Sequence, residues 1–132
     1  MISPELKERL LKLAREAQQN AYAPYSKFRV GAAILLDNGE IFTGCNVENA
    51  SYGLTNCAER SAIFAAVSKL GGSKVRVAGV AVVNDHDAPC SPCGACRQVI
   101  AEFGPEAVIW YQGRNMIQQS TIRELLPECF SL

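Results

Sequence analysis

The sequence of 132 residues has no net charge, only one histidine and no long apolar run. Lysine plus arginine and aspartate plus glutamate each number 13, so no strong field favours nucleic acid or an anionic membrane. No apolar segment is long enough to span a bilayer, and the first residues lack the basic segment and apolar run of a signal peptide. We therefore expect a cytoplasmic protein that binds neither nucleic acid nor a membrane.

The composition, 48% hydrophobic and 20% charged, is typical of a globular protein. The length is near that of one ordinary domain, and the sequence contains no repeat, linker or low-complexity segment. We expect residues 1–132 to form a single domain.

The six cysteines are numerous for a cytoplasmic chain of this length. In a reducing compartment they are better explained as metal ligands, catalytic groups or buried thiols than as disulfides. Cys45 and Cys129 are expected to be small buried apolar residues. The lone histidine, His86, lies between Asp85 and Asp87 in a polar stretch and is expected to face solvent rather than to bind a metal.

The apolar pattern alternates between helical and extended periods along the chain. Ser3 and Pro4 fit the start of a helix, and Asn38-Gly39 between two apolar segments predicts a hairpin. Helices are predicted from Pro4 to about residue 20 and over about 57–71, 93–104 and 121–126, and strands over 28–36, 41–47, 75–83 and 107–111. This alternation predicts the α/β class, as one three-layer α/β/α domain with a mixed five-stranded sheet.

Two cysteine motifs carry the strongest chemical signal. Cys57-Ala58-Glu59 and Pro92-Cys93-Gly94-Ala95-Cys96 supply three thiolates and one carboxylate. Three protein ligands leave the fourth position of a tetrahedral zinc ion open, which is typical of catalytic rather than structural sites. C-x-x-C alone also occurs in redox proteins and structural zinc sites. Cys90 remains an alternative ligand that would close the tetrahedron.

The cysteines are predicted at the starts of two helices, where unpaired N–H groups and the helix dipole favour the thiolate form. Arg60 follows Cys57 by three residues and Arg97 directly follows Cys96. Both arginines are expected to donate hydrogen bonds to the sulfurs and so offset the negative charge of three thiolates. The alternative is that they are ordinary surface arginines.

Three segments resemble the cytidine deaminases: Asn46 to Tyr52, Cys57 to Arg60 and Pro92 to Gln98. The last two match the deaminase signature, in which a cysteine or histidine ligand is followed two residues later by glutamate and downstream by P-C-x-x-C. The similarity extends from Ala23-Pro24-Tyr25-Ser26 to Phe130 and covers almost the whole chain.

Cysteine rather than histidine at position 57 resembles the short, homotetrameric, zinc-dependent branch of that family. The resemblance implies one zinc ion per subunit, bound by Cys57, Cys93 and Cys96, with Glu59 as the catalytic proton shuttle. It implies the hydrolytic deamination of cytidine and deoxycytidine in pyrimidine salvage, with hydroxide attacking C4 of the base and ammonia leaving.

The resemblance also implies the substrate contacts. Asn46 and Glu48 would bind ribose hydroxyls, Phe28 would pack on the pyrimidine, and Phe130 would approach the site of a neighbouring subunit. The full expected set is Phe28, Asn46, Glu48, Tyr52, Ala58 and Phe130. From the residues alone, Phe28 is better explained as a core aromatic at a strand start, and Asn46 and Glu48 are compatible with a solvated loop.

Three other functions remain open from the sequence. A structural zinc module would require four closed ligands and no role for Glu59. A deaminase of polynucleotides would require a basic surface, of which the sequence shows no clear cluster. A deaminase of a nucleoside antibiotic is nearer in chemistry, although the segment from Asn46 to Tyr52 fits the cytidine branch better.

Overall fold

The computed structural model describes residues 2–132, which form helices packed on both faces of one sheet. The helices are α1 (Pro4–Gln18), α2 (Ala58–Leu70), α3 (Gly94–Phe103) and α4 (Ile122–Leu125). The strands are β1 (Val30–Leu36), β2 (Ile41–Cys45), β3 (Val77–Asn84), β4 (Val108–Gln112) and β5 (Ile117–Thr121). Short 3₁₀ turns occur at Tyr52–Leu54 and Gly72–Lys74.

The sheet is mixed and has the strand order β2-β1-β3-β4-β5. Only β3 and β4 pair in parallel, and α3 connects them; the other neighbours are antiparallel. The hairpin between β1 and β2 closes through hydrogen bonds from Leu36 N to Glu40 O and from Gly39 N to Leu36 O, with Gly39 at a φ of 91°. Glycine suits that position because other residues rarely adopt a positive φ.

The alternation of side chains in the central strands divides the core into two layers. Ala32, Ile34 and Leu36 of β1 pack with α2 and α3 on one face of the sheet. Ala33 and Leu35 pack with Leu10, Leu11 and Ala14 of α1 on the other face. The predicted three-layer α/β/α class with five mixed strands is therefore confirmed.

The helix starts follow the sequence signals. Ser3 caps α1 by accepting a hydrogen bond from Leu6 N at 3.1 Å, and Thr121 and Glu124 form a capping box at α4. Cys57 and Cys93 occupy the residue immediately before α2 and α3, respectively. Two cysteine side chains are thus presented at helix N-termini, as predicted.

Some sequence expectations were wrong. The strand β5 was not located, because its residues, Ile117-Gln118-Gln119-Ser120-Thr121, are mostly polar and lie at a sheet edge. Cys129 is exposed rather than buried, since it follows the last helix in the C-terminal segment, and Cys45 is only half-buried. His86 is exposed, as expected.

Within residues 2–132, no helix combines the length and the apolar character that crossing a bilayer requires.

The close contact between β2 and α2 provides a test of the packing. A Cβ atom added to Gly44 would lie 2.4 Å from Ala62 N and 2.6 Å from Ala58 O. Both are backbone atoms of α2, so the helix itself would have to shift to make room. We expect Gly44→Ala to lower the free energy of unfolding by about 1–3 kcal/mol, as overpacked cores do. Denaturant titration measures this change. Gly53→Ala is the matched control, because no atom lies within 4 Å of its added Cβ, and equal losses in both variants would contradict the packing argument.

Candidate active site

Three cysteine sulfurs meet where α2 and α3 begin. The Sγ atoms of Cys57, Cys93 and Cys96 all lie within 4.8 Å of one another, and those of Cys57 and Cys93 are 3.8 Å apart. Cys57 is half-buried, Cys93 is exposed and Cys96 is buried. The two helix starts, 36 residues apart in the sequence, therefore form one thiol cluster.

The cluster fits a zinc ion. Zn–S bonds of about 2.3 Å at tetrahedral angles place two sulfurs about 3.8 Å apart, which is the Cys57–Cys93 distance. A disulfide would require about 2.05 Å. Three soft thiolate donors are typical of zinc and leave one coordination position for water or substrate.

Arg60 contacts this cluster directly. Its Nη2 lies 3.3 Å from Cys57 Sγ and donates to it, as the sequence predicted. The guanidinium thereby withdraws negative charge from the sulfur, which would help a zinc ion with three thiolates to remain a Lewis acid.

The prediction for Arg97 was wrong. Its Nε donates to Pro92 O at 2.7 Å, its Nη1 to Leu125 O at 2.8 Å and its Nη2 to Ser91 Oγ at 2.9 Å. All of these acceptors are oxygens. Arg97 thus connects the segment before α3 to the end of α4, and its bond to Pro92 O holds the backbone next to Cys93.

The thiols differ in acidity. Hydrogen bonds from Cys96, Arg60 and Cys93 lower the pKa of Cys57 to about 5. The pKa of Cys96 is raised, because it donates to the Cys57 thiolate and is buried. The first negative charge in the cluster therefore resides on Cys57, beside Arg60.

Glu59 lies next to the cluster and outside it. The side chain is 4% exposed, and burial raises its pKa to about 7, with a further increase from the Cys57 thiolate. A carboxyl group with a pKa near neutrality can both accept and donate a proton, which is the requirement for general acid–base catalysis.

A cavity of about 440 Å³ opens over Glu59 and the cluster. Its volume falls within the range of small-molecule sites. The exposed surface of the lining is mainly apolar, although half of the lining residues have polar side chains. These residues are Ser26, Phe28, Val30, Asn46, Glu48, Thr55, Asn56, Cys57, Ala58, Glu59, Val82, Cys90, Ser91 and Cys93. Four of the six expected substrate contacts, Phe28, Asn46, Glu48 and Ala58, are among these residues.

The Asn46 side chain holds the backbone around Phe28. Its Oδ1 accepts from Val30 N at 2.8 Å, and its Nδ2 donates to Phe28 O at 2.8 Å. The Phe28 ring also lies edge-on to His86, with centroids 5.2 Å apart. Each polar atom of the carboxamide retains capacity for one more hydrogen bond. Asn46 therefore supports the cavity wall, and its contact with ribose stays a prediction.

Glu48 is a nearly buried carboxylate that binds the segment before Phe28. Its Oε1 accepts from Tyr25 N at 3.0 Å and from Ser26 N at 3.1 Å, while Ser26 Oγ donates to Oε2. These bonds, that of the Ser26 hydroxyl most of all, lower the pKa of Glu48. Glu48 is therefore held as an ionised acceptor at the cavity wall.

Tyr52 and Phe130 lie outside this cavity. Tyr52 is exposed and packs edge-on against Tyr25, with centroids 6.0 Å apart, in an adjoining cavity that shares Ser26, Glu48 and Thr55. Phe130 is exposed, and its carbonyl accepts a hydrogen bond from Gln98 Nε2 at 3.0 Å. Their roles in binding substrate stay predictions.

Cys90 lines the cavity without joining the thiol cluster. Its backbone N donates to Gln112 O at 2.9 Å, which fixes it against the end of β4. Burial, and then the charges of Glu59, Cys57 and Cys93, raise the pKa of its thiol. The geometry therefore favours three cysteine ligands and an open fourth position.

The sequence reasoning assigned no role to Ser26, Thr55 or Asn56, which also line the cavity. Ser26 belongs to the segment Ala23-Pro24-Tyr25-Ser26, which resembles the cytidine deaminases, so that resemblance could have indicated a role for it. Thr55 and Asn56 precede Cys57 in an irregular stretch, and only the fold shows which way that stretch faces.

The thiol cluster makes a prediction about metal content. Cys96→Ser should reduce bound zinc from about one ion per chain to almost none, because two remaining thiolates hold the ion much less tightly. Elemental analysis of the purified variant measures this loss.

Cys90→Ser is the matched control, since this thiol lies in the same cavity but outside the cluster. It should keep the zinc content of the unaltered chain. Loss of zinc in Cys90→Ser would show that a fourth thiolate closes the site.

Comparison with known families agrees with this site. Residues 4–112 match the model of the cytidine and deoxycytidylate deaminase zinc-binding region. The chain is 49% identical over 127 residues to a cytidine deaminase of Halalkalibacterium halodurans, covering 95% of this chain and 94% of that protein. It is also 34% identical over 109 residues to a blasticidin-S deaminase of Bacillus cereus, covering 77% and 76%.

The fold gives the same result. The crystal structure of cytidine deaminase from Burkholderia pseudomallei superposes with a TM-score of 0.83 at 44% identity, over 93% of this chain and 98% of that one. Because the family model and a relative of nearly equal length both cover most of the sequence, this chain belongs to the cytidine and deoxycytidylate deaminase family of zinc-binding proteins.

Proposed function

We propose that this protein catalyses the hydrolytic deamination of cytidine and deoxycytidine to uridine and deoxyuridine, with release of ammonia. The observation that carries the proposal is the position of Glu59, a buried carboxyl group with a pKa of about 7 beside three cysteines that leave one zinc position open. The relative from H. halodurans, a cytidine deaminase at 49% identity over nearly the whole length, supports the same substrate class.

Glu59 acts as the general base and the general acid of the reaction. Zinc bound by Cys57, Cys93 and Cys96 would acidify a water molecule towards a pKa of roughly 7 and so supply the nucleophile for C4. Glu59 accepts the proton that this water loses and delivers it to N3 of the pyrimidine. Once the C4–O bond has formed, Glu59 takes the proton of the C4 hydroxyl group and passes it to the 4-amino group, so that the C4 carbonyl forms, the C4–N bond breaks and ammonia leaves. The cycle returns Glu59 to its starting state.

The cavity wall orients the nucleoside. Phe28 packs on the pyrimidine face, and Ala58, at the start of α2, contacts the base beside Glu59. Glu48 and Asn46 bind ribose hydroxyls. A carboxylate nearly buried in the cavity penalises a ligand that leaves it without a partner, so Glu48 favours substrates that carry a hydroxyl.

We further propose that residues 1–132 act as one catalytic domain in the cytoplasm, within pyrimidine salvage. A single layered core built from both halves of the chain supports the domain assignment.

Replacement of the proposed proton shuttle is the primary test. Glu59→Gln should lower kcat for cytidine at least about 10²–10⁴-fold, because an amide cannot transfer the proton, while the zinc content stays unchanged. The decrease in ultraviolet absorbance of cytidine measures turnover. Glu8→Gln, an exposed substitution on α1, is the matched control and should keep full activity.

The substrate panel separates the other functions. Blasticidin S is tested because the B. cereus relative acts on it by name, and a cytidine-containing oligonucleotide tests for a polynucleotide enzyme. Turnover of either without turnover of cytidine would replace the proposal. A zinc-loaded protein inactive on all of them, with four-sulfur coordination, would indicate a structural zinc module.

We also propose a homotetramer in which neighbouring subunits complete each site. Exposed apolar side chains occur in the segments beside the adjoining cavity: Tyr25 and Tyr52 line it, Leu54 belongs to the same 3₁₀ turn as Tyr52, and Tyr22 pairs with Val47. Exposed apolar side chains grouped in this way are typical of an interface. A neighbouring subunit on this surface would cover Tyr52. Its Phe130 could then approach the cavity, which the Phe130 of the same chain does not line.

Subunit mixing tests the shared site. Phe130→Ala and Glu59→Gln should each be nearly inactive alone, whereas co-expression of the two should restore up to about a quarter of the activity. Recovery occurs because some sites take Glu59 from one chain and Phe130 from another. Sedimentation measures the assembly, and nucleoside turnover measures the recovery.

Co-expression of Glu59→Gln with Cys96→Ser is the control. Each site takes Glu59 and Cys96 from the same chain, so every site in this mixture contains one of the two substitutions and stays inactive. No recovery in the Phe130→Ala mixture, or a monomer in sedimentation, would contradict the shared site.

A further inference from the structure

Ser26 stands between two parts of the cavity that were expected to act separately. It lines both the cavity over the thiol cluster and the adjoining cavity that contains Tyr52. The resemblance to the deaminases implies that Phe28 contacts the base and that Glu48 contacts the ribose. The structure connects these two residues through one hydroxyl.

The Ser26 hydroxyl forms a hydrogen bond on each side. Its Oγ donates to Glu48 Oε2, and the same oxygen accepts from Phe28 N at 3.0 Å. Since one hydroxyl can donate once and accept twice, both bonds are satisfied together. The position of the carboxylate and the position of the Phe28 backbone are therefore set by the same atom.

The bonds to Glu48 leave a defined site for a ligand. Oε1 is occupied by Tyr25 N and Ser26 N, whereas Oε2 accepts only from the Ser26 hydroxyl among residues 2–132. Oε2 therefore retains the capacity to accept a hydrogen bond from a ribose hydroxyl. Without the Ser26 hydroxyl, the two N–H groups would still retain Oε1, but the orientation of Oε2 would no longer be fixed.

The backbone between the two contacts is strained. Lys27 has a φ of 59°, which is uncommon for a residue with a side chain. Such a conformation persists when the surrounding contacts over-determine it. Ser26 holds Phe28 N on one side, while Asn46 holds Phe28 O and Val30 N on the other.

We propose that Ser26 is a positioning residue that fixes Glu48 and Phe28 in one geometry and thereby sets the preference for nucleosides that carry ribose hydroxyls. This inference rests on the proposed function and deepens it. Ser26 acts through Glu48 Oε2 on the sugar and through the Phe28 backbone on the base. Asn46 keeps the Phe28 carbonyl in place without the serine, so loss of the hydroxyl alters selectivity more than folding.

The experiment compares cytidine with 2′,3′-dideoxycytidine, which lacks both hydroxyls available to Glu48. In Ser26→Ala, KM for cytidine should rise about 10- to 100-fold with a much smaller change in kcat, as expected for a hydrogen bond to a charged group. The ratio of kcat/KM between the two nucleosides should fall by a similar factor. Ser26→Thr, which keeps the hydroxyl, should restore most of the preference.

Ser68→Ala, on the exposed side of α2, is the matched serine control and should leave both values unchanged. An equal decrease in kcat/KM for both nucleosides in a folded, zinc-loaded Ser26→Ala would overturn the proposal, as would no change. If Ser26→Ala melts below the assay temperature, Ser26→Cys gives the same comparison, because its slightly larger thiol fills the same space but is a much weaker donor.

A binding measurement separates this inference from the proposed function. Calorimetry gives the affinities of the zinc-loaded protein for uridine and 2′,3′-dideoxyuridine without turnover. An unaltered protein that fails to deaminate cytidine would defeat the proposed function. An affinity ratio that is the same in the unaltered protein and in Ser26→Ala would defeat the role of Ser26.

Discussion

The site depends on one spatial constraint, which is that α2 and α3 begin beside each other above the central strands. Cys57 and Cys93 each precede a helix, and their sulfurs come within 3.8 Å only because both helices pack on the same face of the sheet. Small side chains permit this approach: Ala58, Ala62 and Ala66 of α2 are fully buried, and Gly44 of β2 lies against the α2 backbone. The sheet therefore determines the distance between the thiols, while the helix starts supply their favourable electrostatic surroundings.

Hydrogen bonding gives the two buried carboxylates of the cavity opposite shifts in pKa, although burial by itself raises the pKa of both. Glu59 is almost completely buried beside the Cys57 thiolate, so its pKa rises to about 7 and it can exchange protons near neutral pH. Glu48 is nearly as buried, but three hydrogen-bond donors from residues 25 and 26 stabilise its charge and lower its pKa. One carboxylate suits proton transfer and the other suits binding of a hydroxyl, although the residue type is the same.

Most of the fold and part of the site could be predicted because their signals are local. Ser3-Pro4, Asn38-Gly39 and the capping box of Thr121 and Glu124 each define an element boundary within a few residues, and the structure has all three. The sequence did not predict β5, because its residues lack an alternating apolar pattern. This strand at the edge of the sheet is stabilised by its antiparallel pairing with β4. The prediction that Arg97 contacts a thiolate was wrong for a related reason, since one of its acceptors, Leu125 O, lies 28 residues away along the chain.

The sequence by itself determined the layered α/β class, the three soft ligands, the neighbouring carboxylate and the family, because each depends on residue type at short spacing. Only the tertiary structure decided that Arg97 donates to oxygens rather than to a thiol, that Cys90 stays outside the cluster, and that Cys129 is exposed. It also decided that Ser26 connects Glu48 with Phe28. The physical reason is that the contacts of Arg97 with Leu125 and of Ser26 with Glu48 join residues 28 and 22 positions apart, so the packing of strands and helices fixes their distance and direction.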